Sequence, residues 1–188
     1  MIIQAQDVGW VEVICGPMFS GKTEELIRRL RRATYARQRV QIFKPAIDDR
    51  YAEASIVSHN QTELPSISVS SIEEMWEHLD PKTKVVGIDE VQFLPKGTVE
   101  ICETLANRGC RVVVAGLDRD YLAQPFGEMP TLLSIAEYVT KLSAICVRCG
   151  NPAHYSYRLA GDNQQVLVGA TDQYEARCRS CYYSLQQD

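Results

Sequence analysis

Short apolar runs alternate with stretches of helical periodicity over the first two thirds of the chain. Residues 11–15, 40–43, 85–88 and 112–115 are runs of four or five residues rich in β-branched side chains, the pattern of buried strands. Between the first two, residues 22–37 place Leu26, Ile27, Leu30 and Ala33 at i, i+1, i+4 and i+7, one face of a helix. Glu24 and Glu25 open that helix and arginines crowd its end, which suits the helix dipole. Ser70-Ser71-Ile72-Glu73 reads as a capping box opening a helix to about residue 79. Residues 98–107 are helical and ended by Gly109, and residues 130–138 are helical. Residues 45–65 are polar and irregular, a loop of a length that is uncommon unless functional. Strands alternating with helices predict an α/β fold, a parallel sheet covered on both faces.

Near Lys141 the texture changes. Residues 141–188 hold four cysteines, several tyrosines and no convincing helix. The expected organisation is an α/β domain over 1–140 and a small module over 141–188. A total of 188 residues suits one domain with an appendage, at roughly 150 residues per domain. The hydrophobic share of 45% excludes disorder as the main state. The net charge of −4 removes a general basic footprint for duplex nucleic acid. The odd count of seven cysteines argues against a closed disulfide framework. The first residues lack the basic and apolar regions of a signal peptide, and the apolar runs are far shorter than the ~20 residues of a membrane span. A soluble, cytoplasmic protein is expected, with no membrane or nucleic-acid partner.

Gly16-Pro17-Met18-Phe19-Ser20-Gly21-Lys22-Thr23 fits G-x-x-x-x-G-K-[ST], between a strand and an amphipathic helix as the motif requires. Its glycines let backbone N–H groups turn inward around phosphate oxygens, and the helix N-terminus adds positive potential. Lys22 is expected at the β- and γ-phosphates and Thr23 on Mg²⁺. The strand at 85–88 ends in Asp89 and Glu90, with Asp89 expected near the magnesium from a neighbouring strand end. Glu90 beside the γ-phosphate can take a proton from an attacking hydroxyl or water.

Cys146-x-x-Cys149 and Cys178-x-x-Cys181 are two knuckles separated by 28 residues. Paired knuckles place four thiolates on a tetrahedral Zn²⁺ and leave no open position, so the metal would be structural. Free buried thiols or two redox pairs are the alternative. Cys15, Cys102 and Cys110 fall in predicted strands or helices and are expected to be plain buried residues. The arginines at 28, 29, 31, 32, 37 and 39 read as a solvated helix face. The aromatic residues Phe93, Tyr121, Phe126 and Tyr174 suit either nucleobase stacking or packing.

Taken in order, these motifs resemble the thymidine kinase family that includes the human cytosolic enzyme and many bacterial ones. The resemblance also covers Lys44-Pro45, Asp48-Asp49-Arg50-Tyr51, Gln92-Phe93, Gly116-Leu117-Asp118, Pro125-Phe126-Gly127 and Gly169-Ala170-Thr171-Asp172-Gln173-Tyr174. It implies a P-loop NTPase-like domain carrying a zinc-anchored lasso, and transfer of the ATP γ-phosphate to the thymidine 5′-hydroxyl, giving dTMP and ADP. It implies that Glu90 is the general base and that Asp48 and Arg50 line the magnesium and phosphate region. The lasso backbone at Gln165, Val166, Leu167, Val168 and Gly169 would hold the thymine edge, with Tyr174 over that loop. Met18, Phe93, Leu117, Tyr121 and Phe126 would wall the base pocket. Homotetramers inhibited by dTTP are implied as well. Two positions depart from the family pattern: Tyr121, where several relatives carry Phe, and Val91, where Gly or Ala is usual. The rival reading is a nucleic-acid-stimulated ATPase with a zinc ribbon, in which Glu90 would activate water.

Overall fold

A computed structural model describes residues 8–46, 55–57, 63–159 and 173–184. Its strands are β1 Trp10–Cys15, β2 Val40–Pro45, β3 Ser55–Val57, β4 Glu63–Pro65, β5 Ile67–Val69, β6 Val85–Ile88, β7 Arg111–Gly116, β8 Tyr138–Lys141, β9 Ala144–Ile145, β10 Pro152–Ala153, β11 Tyr155–Arg158 and β12 Tyr174–Arg177. Its helices are α1 Lys22–Tyr35, α2 Ile72–His78, α3 Thr98–Asn107, α4 Met129–Ile135 and α5 Arg179–Tyr183. Six strands form one parallel sheet in the order β5-β2-β6-β7-β1-β8, the expected α/β architecture.

Strand side chains alternate between faces, and the two layers divide accordingly. Val11, Val13 and Cys15 of β1 pack with Met75, Ile101, Cys102, Leu105, Met129 and Leu132 from α2, α3 and α4. Ile14 joins Leu26, Ile27, Leu30 and Ala33 of α1 on the opposite face. Full burial of each such aliphatic side chain stabilises by about 1.5–3 kcal/mol. Glu12 shares the α1 face. It accepts hydrogen bonds from Trp10 Nε1 (2.7 Å), Arg29 Nη1 (2.7 Å) and Arg111 Nε (2.6 Å), tying β1 to α1 and β7. Burial works against its charge, but these donors outweigh it and hold the carboxyl below its ordinary value.

Several local expectations need correction. The helix expected over 130–138 stops at Ile135, because Ala136 is extended and residues 138–141 pair with β1 as the edge strand. Pairing to an open sheet edge there overrides weak local helicity. The capping box is displaced by one residue. Ser71 is the cap, accepting from Glu74 N–H, and the Glu74 carboxylate returns to the N–H of Ser70. The expected loop at 45–65 contains the antiparallel pair β3–β4. The C-terminal segment, read as free of helix, holds the short α5, while β9–β10 and β11–β12 form antiparallel pairs.

Candidate active site

The loop after β1 begins at Gly16, whose φ of 149° lies in glycine territory. A Cβ there would sit 2.6 Å from Leu142 O, so no larger residue fits. The Pro17 carbonyl accepts from Ser20 Oγ (2.8 Å) and from the buried Lys22 Nζ (2.9 Å), which curls the loop over the start of α1. Met18 N–H donates to Ser156 Oγ of β11 at 3.0 Å, joining this loop to the C-terminal segment.

Thr23, in the first turn of α1, donates its hydroxyl to Asp89 Oδ2 at 3.0 Å. The expectation for Asp89 is a neighbouring strand end. β7 in fact lies between β1 and β6, and the contact to Asp89 is made from the first turn of α1 and not from β1 itself. Burial, and then the nearby Glu90 charge, push the Asp89 carboxyl well above its ordinary value against the Thr23 bond. A hydroxyl and a carboxylate converging beside a phosphate loop suit Mg²⁺, which prefers hard oxygen ligands.

Glu90 follows with φ 50° and ψ 40°, a left-handed conformation that costs a non-glycine residue about 1–2 kcal/mol. The twist turns its half-buried side chain out of the strand direction. The Asp89 carboxylate accepts the Glu90 N–H at 3.0 Å, and a 3-10 turn, Val91–Phe93, follows. Gln92 donates its side-chain amide to Glu90 Oε2 at 2.5 Å and accepts Leu117 N–H at 3.0 Å.

The expected base-pocket residues are joined in subsets. Phe93 and Phe126 meet edge to face at 5.3 Å. The Arg158 guanidinium lies 3.6 Å from the Tyr121 ring centre and donates to Tyr174 OH at 2.6 and 3.0 Å. The Tyr121 carbonyl also accepts from Tyr182 OH at 2.6 Å. Asp48, Arg50 and residues 165–169 lie outside the described residues. Ser156 and Arg158 do not stand out as site residues in the sequence, and Gln92 enters it only within the Gln92-Phe93 stretch of the family resemblance, with no role assigned. A lone polar residue in the apolar turn Val91-Gln92-Phe93-Leu94 is the available signal for Gln92. Ser156 and Arg158 carry no local signal, since their partners lie far away in sequence.

The sulfur atoms of Cys146, Cys149, Cys178 and Cys181 all lie within 4.8 Å of one another, so the four thiols could hold a metal ion. Cys149 Sγ and Cys178 Sγ are 3.6 Å apart. That is too long for a disulfide and close to the ~3.8 Å edge of a tetrahedron with 2.3 Å zinc–sulfur bonds. Cys178 Sγ also accepts Cys181 N–H, the turn expected of a knuckle. Burial opposes ionisation of Cys146, but N–H and S–H donors bring it down to about 6. Cys181, hydrogen-bonded to Cys149 and Cys178, is pushed up to about 12. Cys15, Cys102 and Cys110 are buried as expected. Arg29 departs from the solvated-face reading, since its side chain is only 13% exposed and is held by Glu12 and Glu25.

The strand–loop–helix phosphate cradle and the acid pair at a parallel strand end define a P-loop α/β protein. A family model for thymidine kinase matches residues 9–182. A thymidine kinase of Bdellovibrio bacteriovorus is 57% identical over 91% of this chain and 84% of that protein. A thymidine kinase of a Rhodothermus species is 55% identical over 93% of this chain and 82% of that protein. The chain belongs to the thymidine kinase family. Among the described residues no helix is long and apolar enough to cross a membrane.

Proposed function

We propose that this protein transfers the ATP γ-phosphate to the 5′-hydroxyl of thymidine. The observation that supports the reading is the Thr23 hydroxyl bonded to the Asp89 carboxylate at the start of α1, with Glu90 next in the chain and its N–H on the same carboxylate. Lys22 and the loop N–H groups hold the β- and γ-phosphates. Thr23 and Asp89 hold Mg²⁺, which neutralises charge on the phosphate oxygens when bound. Glu90 accepts the 5′-hydroxyl proton as that oxygen bonds to the γ-phosphorus. The bond from phosphorus to the bridging oxygen breaks, and ADP leaves with the electron pair.

Asp48 and Arg50 complete the phosphate region in this reading. Met18, Phe93, Leu117, Tyr121 and Phe126 enclose the base, and Tyr174 closes over the 165–169 segment. Zinc on the four cysteines anchors that segment. A cytoplasmic homotetramer inhibited by dTTP in the same pocket completes the proposal, supported by the family resemblance. The test is ATP turnover measured with thymidine, with DNA, and with neither. Product dTMP formed only with thymidine is expected. Equal ADP release without thymidine, or stimulation by DNA alone, would refute it.

A further inference from the structure

We infer that Gln92 is a positioning residue, setting the Glu90 carboxylate and tying it to the wall of the nucleoside pocket. The inference rests on the proposed role of Glu90 as general base. Gln92 is 3% exposed, and both ends of its amide are used. The NH₂ donates to Glu90 Oε2 at 2.5 Å and the carbonyl accepts Leu117 N–H at 3.0 Å. An amide offers a donor and an acceptor on one rigid plane, so its orientation is fixed by having opposite partners at its two ends.

The surroundings hold that plane in place. A Cβ on Gly116 would lie 2.6 Å from Gln92 Oε1, and one on Gly127 would lie 2.6 Å from the Gln92 carbonyl oxygen. Gly116 thus leaves the space that the Gln92 amide fills at the end of β7, and Gly127 leaves room for the Gln92 main chain in the loop before α4. Glu90, by contrast, sits in a left-handed turn that a free chain seldom adopts. Without a partner its side chain can rotate among staggered positions, and a displacement of 1 Å in a reacting group can cost about 10²-fold in rate. Gln92 removes that freedom. Leu117 belongs to the same hydrogen-bonded chain, so the position of the base-pocket wall and that of the carboxylate are set by one side chain.

The test is a double-mutant cycle on Glu90→Gln and Gln92→Met, with KM for ATP and thermal midpoint recorded for each protein. Methionine keeps the volume and removes both hydrogen bonds. Gln92→Met is expected to lower kcat roughly 10–10²-fold with KM for ATP unchanged. In the Glu90→Gln background it is expected to lower kcat no further, because Gln92 acts through Glu90. Gln92→Glu is the second variant. It keeps an acceptor for Leu117 N–H and sets a second carboxyl against Glu90, so the two acids share one proton in place of the fixed amide bond; kcat should fall as in Gln92→Met, with its pH profile shifted upward. Wild-type kcat in Gln92→Glu, or equal losses from Gln92→Met in both backgrounds, overturns the positioning role. Wild-type kcat in Glu90→Gln overturns the base reading itself, and the inference with it.

Discussion

Replacing Ser156 by alanine cuts a hydrogen bond that joins the phosphate loop to the C-terminal strands. The Ser156 hydroxyl is buried, 5% exposed for the residue, and accepts Met18 N–H at 3.0 Å across 138 residues of sequence. Leaving a buried N–H without an acceptor costs about 1–3 kcal/mol. Met18 is half-buried, so water reaches one side of it and about 1–2 kcal/mol of that penalty remains. The free loop relieves the penalty by moving, and ATP must reverse the movement in order to bind. With 1.4 kcal/mol per tenfold, KM for ATP should rise roughly 5–30-fold.

Ser156→Thr keeps the hydroxyl on a strand residue and should restore most of the affinity. Removing the proposed zinc by chelation, with the chelator washed out before Mg²⁺ and ATP are added, should raise KM for ATP as well. β12 runs directly into Cys178 and pairs with β11, so loosening the knuckle loosens Ser156. The two perturbations should therefore overlap: chelation of the Ser156→Ala protein adds little. Initial-rate measurements over an ATP series, at saturating thymidine, give all four values. An unchanged KM for ATP in Ser156→Ala, or full additivity with chelation, would show that the C-terminal strands do not brace the loop.

Three further outcomes are expected. Elemental analysis of protein purified without added zinc should find one zinc per chain, and Cys149→Ser should lower that occupancy sharply. Glu12→Ala should destabilise by about 2–4 kcal/mol, below the full penalty for breaking a buried pair because Arg29 keeps Glu25 and Thr140, which lowers the thermal midpoint by roughly 4–16 °C. The Glu12 carboxyl is held below its ordinary 4.5 in the folded state, so its contribution is present above that pH. It is lost as the pH falls through the folded value, and the gap between wild type and Glu12→Ala should narrow in acid. Tyr174→Ala, which removes the acceptor of Arg158, should raise KM for thymidine and weaken dTTP inhibition more than it raises KM for ATP. An equal effect on ATP would place the nucleoside pocket elsewhere.

The strands and helices that face the core were legible because their signal is local. Leu26, Ile27, Leu30 and Ala33 announce a helix face within one short segment, and the α3 limits read from the sequence coincide with those observed. The phosphate loop, the Asp89–Glu90 pair and the two knuckles were legible for the same reason, each being short and chemically specific. What failed was set by partners distant in sequence. Residues 136–141 carry a pattern that suits a helix end or a strand, and the exposed edge of β1 decides between them. Arg29 looks like one more surface arginine until Glu12, seventeen residues earlier, is folded onto it. The strand order, with β7 between β1 and β6, has no local signature at all.

The same distinction explains how the site is held. The groups assigned to chemistry sit where short motifs put them, but their neighbours restrain them from distant segments. Glu90 occupies a costly turn and is bonded by Gln92, which fills space that a side chain at Gly116 or Gly127 would take. Tyr121 and Tyr174, far apart in sequence, meet through one guanidinium. A strained turn persists only when its surroundings over-determine it, and the cost of about 1–2 kcal/mol at Glu90 is small against the contacts around it. Such restraint suits phosphoryl transfer, where the protein contributes mostly placement and fixed charge. It follows that substitutions of these bracing residues should lower kcat or raise KM by more than their loss of stability accounts for, whereas substitutions in the Glu12 network should lower stability with kcat and KM near wild type.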